Sequence, residues 1–73
     1  MSLGQDRVRV SFNPSGDSVV DQIKQKTADL IDLCEQYKSP FPEQGRCAAL
    51  AQTAYEEAAM WAVKAATATT ADK

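Results

Sequence analysis

The sequence predicts an all-α protein: an antiparallel two-helix hairpin with a short extended N-terminal arm, assembling as a homo-oligomeric helical bundle. Three observations carry that expectation. Val20, Ile23, Thr27, Leu30, Cys34 and Tyr37 recur at alternating steps of three and four, the seam of a packed helix. The later stretch RCAALAQTAYEEAAMWAVKAATA is rich in alanine, the residue with the best helix propensity. Between them, KSPFPEQG places two prolines and a glycine within eight residues, which interrupts a helix running through. The 73 residues hold one small domain.

The arm spans residues 1–13. Val8, Val10 and Phe12 alternate with Arg9 and Ser11, the period of an extended segment. The first helix spans residues 14–37. Asn13 is a good N-cap and Pro14 a good first helical residue, with Ser15 or Asp17 as later caps. Asp17 and Asp21 favour the positive end of its dipole. Val19, Ile31 and Leu33 lie off the main seam, so the helix has more than one packing surface.

The turn spans residues 38–45. Ser39 and Phe41 each precede a proline and are pushed out of helical conformation, and Gly45 adds a break. A connection this short makes the two helices antiparallel neighbours, with Phe41 available to plug the open end. The second helix spans residues 46–69. Cys47, Leu50, Ala54, Ala58, Trp61 and Ala65 follow one stripe, and Tyr55, Ala59, Ala62 and Ala66 another. The tail TTADK is expected to fray.

Composition removes several function classes. There is no histidine, and Cys34 and Cys47 lack CxxC spacing, so no metal site or cofactor is expected. No serine has a visible base partner. Glu56 and Glu57 are adjacent, about 100° apart on a helix, and form no acid–base pair. An enzyme is therefore not expected. MSLGQDRVRV has no apolar signal core, and no apolar run reaches the ~20 residues of a membrane span. The expected compartment is the cytoplasm, with reduced thiols. Net charge is −2, which argues against a partner of long nucleic acid. A lone hairpin recovers about what its ordering costs, so self-association is the expected stabiliser.

Positive charge nonetheless gathers early, at Arg7, Arg9, Lys24 and Lys26, and such a patch can serve a small anion. Phe12, at the junction of arm and helix, reads either as a staple onto the helix or as a lid over a flat ring. Trp61 reads either as core, which Leu50 and Ala58 on its stripe favour, or as a stacking platform for a base. Lys24 and Lys26 are two apart and do not share a face; Lys26, beside Thr27, can snorkel to a pocket rim. Lys64 follows Trp61 by three and lies near it. Cys34 and Cys47 read as packing thiols near the turn.

FNPSGDSVVDQIKQKTADLIDLCEQ, taken with LAQTAYEEAAMWAVKAA, resembles the phage anti-CBASS and Thoeris anti-defence hairpin family. The resemblance covers residues 10–68, and its more specific parts are the Asn13-Pro14 helix start and the MW-x-VKA segment. It implies a sponge that binds cyclic nucleotide second messengers without cleaving them, assembled as a homohexamer in the cytoplasm of the infected bacterial host. It implies a stacking aromatic at Phe12, beside Asn13, where relatives often carry tyrosine. It implies a phosphate-binding lysine on the first helix, Lys26 first and Lys24 second, with Thr27 adjacent. Relatives that take cyclic trinucleotides carry an arginine where Lys64 stands here, and lysine makes no planar bidentate phosphate contact. The function expected on this basis is sequestration of cyclic dinucleotides such as cyclic GMP-AMP, with cyclic trinucleotides as a second class. Two other readings stay open: a sponge for cyclic ADP-ribose signals, and an oligomeric helical module that binds a protein or RNA partner.

Overall fold

Ser2 and Gln5 turn the expected arm into a helix. In the computed structural model, which describes residues 2–11, 18–38 and 40–68, α1 spans Leu3–Val8, α2 spans Ser18–Glu35 and α3 spans Pro42–Thr67. The Ser2 hydroxyl accepts from the Gln5 amide at 3.1 Å, and the Ser2 amide donates to the Gln5 side chain at 3.1 Å. This is a reciprocal capping box. The helix stops at Arg9, which adopts the left-handed conformation with φ 57° and ψ 55°. The Arg9 amide donates to Asp6 O at 3.3 Å and the Val10 amide to Gln5 O at 3.0 Å, the paired bonds of a Schellman stop.

That stop explains why the arm was expected to be extended. Val8 closes the helix, Arg9 reverses the chain, and Val10 returns to the same apolar cluster as Val8. The alternation of Val8, Arg9 and Val10 thus comes from a left-handed turn and not from a strand. A left-handed arginine costs about 1 kcal/mol relative to glycine.

Six residues are too few for a helix to persist by itself. α1 is held by α2. The Gly4 amide donates to Asp32 Oδ1 at 2.7 Å, and a Cβ at Gly4 would lie 2.0 Å from the Ala28 carbonyl oxygen. Glycine is therefore required at this crossing, where backbone meets backbone.

α2 and α3 run antiparallel, as expected of the hairpin. Close approach sets which residues face inward. On α2 these are Val20, Lys24, Ala28 and Ile31; on α3 they are Ala48, Gln52 and Ala59. The inward line of α2 lies about one residue, or ~100°, from the predicted seam. Ile23, Thr27 and Cys34 are only half-buried, and Leu30 and Tyr37 are exposed. Small side chains let the helices come together, and the larger apolar residues stay outside. On α3 the stripe of Tyr55, Ala59, Ala62 and Ala66 turns inward, while every residue of the other stripe, from Cys47 to Ala65, is exposed.

α3 begins four residues before the expected position 46, because Pro42 occupies its first turn without needing an amide bond. Phe41 serves as N-cap, and Gly45 donates to the Phe41 carbonyl at 3.0 Å, inside the helix and not at a break. Phe41 is 69% exposed and does not plug the hairpin. Gln52 closes that end instead. It is fully buried and donates to Ile31 O at 3.0 Å and to Glu35 Oε1 at 2.8 Å. Its amide oxygen accepts from Lys38 Nζ at 3.3 Å. The expected Asn13-Pro14 start of the first helix and the fraying tail lie outside the described residues. The Cα trace measures 48 × 26 × 12 Å, a flat slab.

Candidate functional site

The end of α1, the first half of α2 and the middle of α3 enclose a groove of about 560 Å³, within the ~300–1,000 Å³ range of small-molecule sites. Arg7 and Arg9 enter it from α1, Lys24 from α2, and Glu56, Met60 and Val63 from α3. Each is placed by local structure. The Schellman stop places Arg9, which is exposed, among the lining residues. Arg7, in the last turn of α1, pairs with Glu56 Oε1 through Nη2 at 2.6 Å and Nε at 2.7 Å, and its Nη2 reaches Thr53 Oγ1 at 3.5 Å.

Lys24 is 8% exposed, and its ammonium donates to the Arg9 carbonyl at 3.1 Å. A buried ammonium is stable only with such partners. Lys24 thus fastens the end of α1 to α2.

Of the other predicted site residues, Lys26, Thr27 and Lys64 do not line the groove with Lys24. Lys26 is exposed on the outward face of α2. Val19, Ile23, Lys26, Leu30, Leu33 and Tyr37 follow one another at steps of four and three, so Lys26 stands in the middle of an apolar seam. Val19, Leu30, Leu33 and Tyr37 are 49%, 38%, 57% and 49% exposed. The Thr27 hydroxyl donates to its own helix, to Ile23 O at 2.7 Å and Lys24 O at 3.1 Å. Phe12 and Asn13 lie outside the described residues.

Lys64 sits over the Trp61 ring, 5.3 Å from its centroid, a cation–π contact. Trp61 was expected in the core; it is 55% exposed, because α3 turns its alanine stripe inward. Its indole N–H donates to Glu57 Oε2 at 3.4 Å, and Glu57 also lines the groove. Cys34 and Cys47 are both free thiols, and the Cys47 thiol points to Glu43 Oε1 at 3.6 Å.

Two carboxylates are held below their ordinary range. Glu35 is lowered chiefly by the bond from Gln52, and also by nearby Lys38. Glu43 is lowered chiefly by its bonds from Arg46. Neither lines the groove. Among the described residues, no group of three or more His, Cys, Asp or Glu side chains is placed to hold a metal, and no helix is long and apolar enough to cross a membrane.

The groove's guanidinium groups were visible early as a positive patch. Sequence reasoning did not single out Arg7 and Arg9 as site residues, because an extended arm gives no groove. The Ser2–Gln5 capping pair was the signal that places them.

No curated protein and no solved structure matches the chain. The family model described as Acb2/Tad1, hairpin domain, matches residues 4–67, from the Gly4 crossing to the last residue of α3. The chain therefore belongs to the Acb2/Tad1 hairpin family, the anti-CBASS and anti-Thoeris sponges that bind small signalling molecules.

Proposed function

We propose that this protein is a non-catalytic sponge for cyclic oligonucleotide second messengers, above all cyclic dinucleotides such as cyclic GMP-AMP. By sequestering them it antagonises CBASS immunity in the cytoplasm of the infected bacterial host. Beside family membership, one observation carries the reading: Lys26 stands alone as a cation within an apolar seam that no other described part of the chain covers. A second copy packing on that seam would exclude water around the ammonium. A charge-assisted bond from ammonium to phosphate strengthens in such surroundings.

The ligand's symmetry suits this arrangement. A cyclic dinucleotide has two phosphates and two flat bases. A two-fold interface offers it two copies of Lys26, and two copies of Phe12 for stacking. Stacking contributes about 1–3 kcal/mol per base. The assembly is a homo-oligomer, a hexamer on the family's pattern. No bond in the ligand breaks, so neither nucleophile nor general base is needed. Lys64 over Trp61 offers a point charge for a cyclic trinucleotide, weaker than the guanidinium that relatives carry there.

Titration calorimetry with cyclic dinucleotides, cyclic trinucleotides and cyclic ADP-ribose tests the proposal. Nanomolar-to-micromolar binding of a cyclic dinucleotide is the expected result. Binding of cyclic ADP-ribose alone would move the chain to a Thoeris-type sponge. Binding of none would reject the sponge. Phe12→Ala is expected to keep the oligomeric state and weaken the affinity.

A further inference from the structure

We propose that Gln22 is the specificity-determining residue of the Lys26 site: its side-chain amide reads the adenine edge of a cyclic dinucleotide whose phosphate Lys26 holds. This rests on the sponge reading for the ligand, and on the outward face of α2 for its seat.

Lys26 by itself has no means of telling one base from another. An ammonium on a phosphate positions a ligand and carries no base information. A stacked ring accepts every base, because every base has a π-face. Discrimination needs a side chain that offers both a donor and an acceptor at a set distance from the phosphate.

Gln22 has that place. It lies one turn before Lys26 on α2, at i and i+4, so the two Cβ atoms stand about 5–6 Å apart on one face. Both side chains are exposed. Val19 and Leu30, 49% and 38% exposed, border the pair along the same face. A second copy on this seam would take the Gln22 amide out of water together with the Lys26 ammonium. An amide desolvated there without a partner is costly, so the site favours the base that satisfies it.

The neighbouring polar side chains are engaged. Gln25 Nε2 donates to Asp29 Oδ1 at 2.9 Å, which occupies the carboxylate one turn after Lys26. Gln5 is spent in the capping box of α1, and Gln52 on Ile31 O and Glu35 Oε1. Gln22 has no hydrogen-bond partner among the described residues. Gln36 shares that state, but it lies beyond the end of α2.

The amide also selects the base. Its oxygen accepts from the adenine N6 amino group while its NH2 donates to N7. Guanine presents two acceptors on the same edge, O6 and N7, and sets one of them against the amide oxygen. The expected order of affinity is cyclic di-AMP, then cyclic GMP-AMP, then cyclic di-GMP.

Calorimetry with cyclic di-AMP and cyclic di-GMP, on the parent, Gln22→Met and Gln22→Arg, tests the assignment. The parent is expected to prefer cyclic di-AMP by about tenfold or more. Methionine keeps the length and the helix propensity and removes the amide. In Gln22→Met the preference is expected to collapse, through lost affinity for cyclic di-AMP, with helical content unchanged. Gln22→Arg offers two donors and is expected to shift the preference toward cyclic di-GMP. A parent that binds both ligands without preferring adenine overturns the role of Gln22 and leaves the sponge standing. So does an unchanged preference in either variant, including an equal loss of both ligands, which marks a structural role. A parent that binds no cyclic dinucleotide overturns the dinucleotide sponge and Gln22 with it.

Discussion

The inward face of α2 carries Val20, Lys24, Ala28 and Ile31, and its outward face carries Val19, Leu30, Leu33 and Tyr37 around Lys26. Both faces hold one lysine among apolar residues. Inward, the residues are mostly small or short, and the lysine is tied to the Arg9 carbonyl. Outward, two leucines and a tyrosine face solvent, and the lysine is exposed. The contrast shows two kinds of contact written on one helix. The inner one is a close approach of backbones within the chain. The outer one is a broader apolar surface, exposed among the described residues, on which the proposed assembly would seat a second copy.

The largest expected effect comes from breaking the inner contact. Gly4→Ala places a methyl group 2.0 Å from the Ala28 carbonyl oxygen, so α1 has to leave α2. Loss of about 3 kcal/mol is expected in urea denaturation, with the amides of Leu3–Val8 losing exchange protection. An unchanged midpoint would show that α1 is not held at this crossing.

The outer contact is tested next. Leu33→Asp is expected to leave the helical content of the chain intact while weakening self-association by about 2 kcal/mol per chain. Light scattering as a function of concentration reads this directly. A variant that associates as the parent does would remove the outward seam from the interface.

Lys26→Ala sharpens the comparison between the two lysines. It is expected to weaken cyclic dinucleotide binding by about tenfold, without change in thermal stability. Lys24→Ala is expected to act through stability, because it frees the end of α1. Equal thermal losses in the two variants would erase the distinction drawn between the faces.

The smallest effect concerns the far end of the hairpin. The carboxylate of Glu35 is held below its ordinary value, first by the bond from Gln52. A folded-state value below the unfolded one gives stability that is present at neutral pH. It is lost as pH falls through the lowered value. Thermal midpoints are therefore expected to decline below about pH 4, and more gently in Gln52→Met. Glu35 is largely exposed, so the change is modest.

The antiparallel hairpin was legible because apolar periodicity and the proline-rich turn agree. The inward line of α2 was not. Hydrophobic pattern points to Leu30 and Tyr37, but Gly4 and Ala28 meet by backbone approach, which apolar periodicity does not record. Lys24 was read as a candidate phosphate ligand and Gln52 was not singled out; their burial depends on partners from distant positions, the Arg9 and Ile31 carbonyls. α1 was hidden by an accident of spacing. Val8 and Val10 alternate as in a strand although a left-handed residue separates them. Of the candidate site, the nearness of Lys64 to Trp61 followed from helical spacing; the place of Lys26 did not, because the packed face lies about one residue from the predicted seam and leaves Lys26 exposed away from the groove. The groove did not, since it requires α1 to be a helix that ends at Arg9.

The protein is mixed with a substoichiometric amount of cyclic GMP-AMP, passed through a filter that retains protein, and the retained fraction is then heat-denatured. The messenger is expected to disappear from the filtrate and to return, chemically intact, after denaturation. Free messenger in the first filtrate, or a cleaved product in the second, would contradict it.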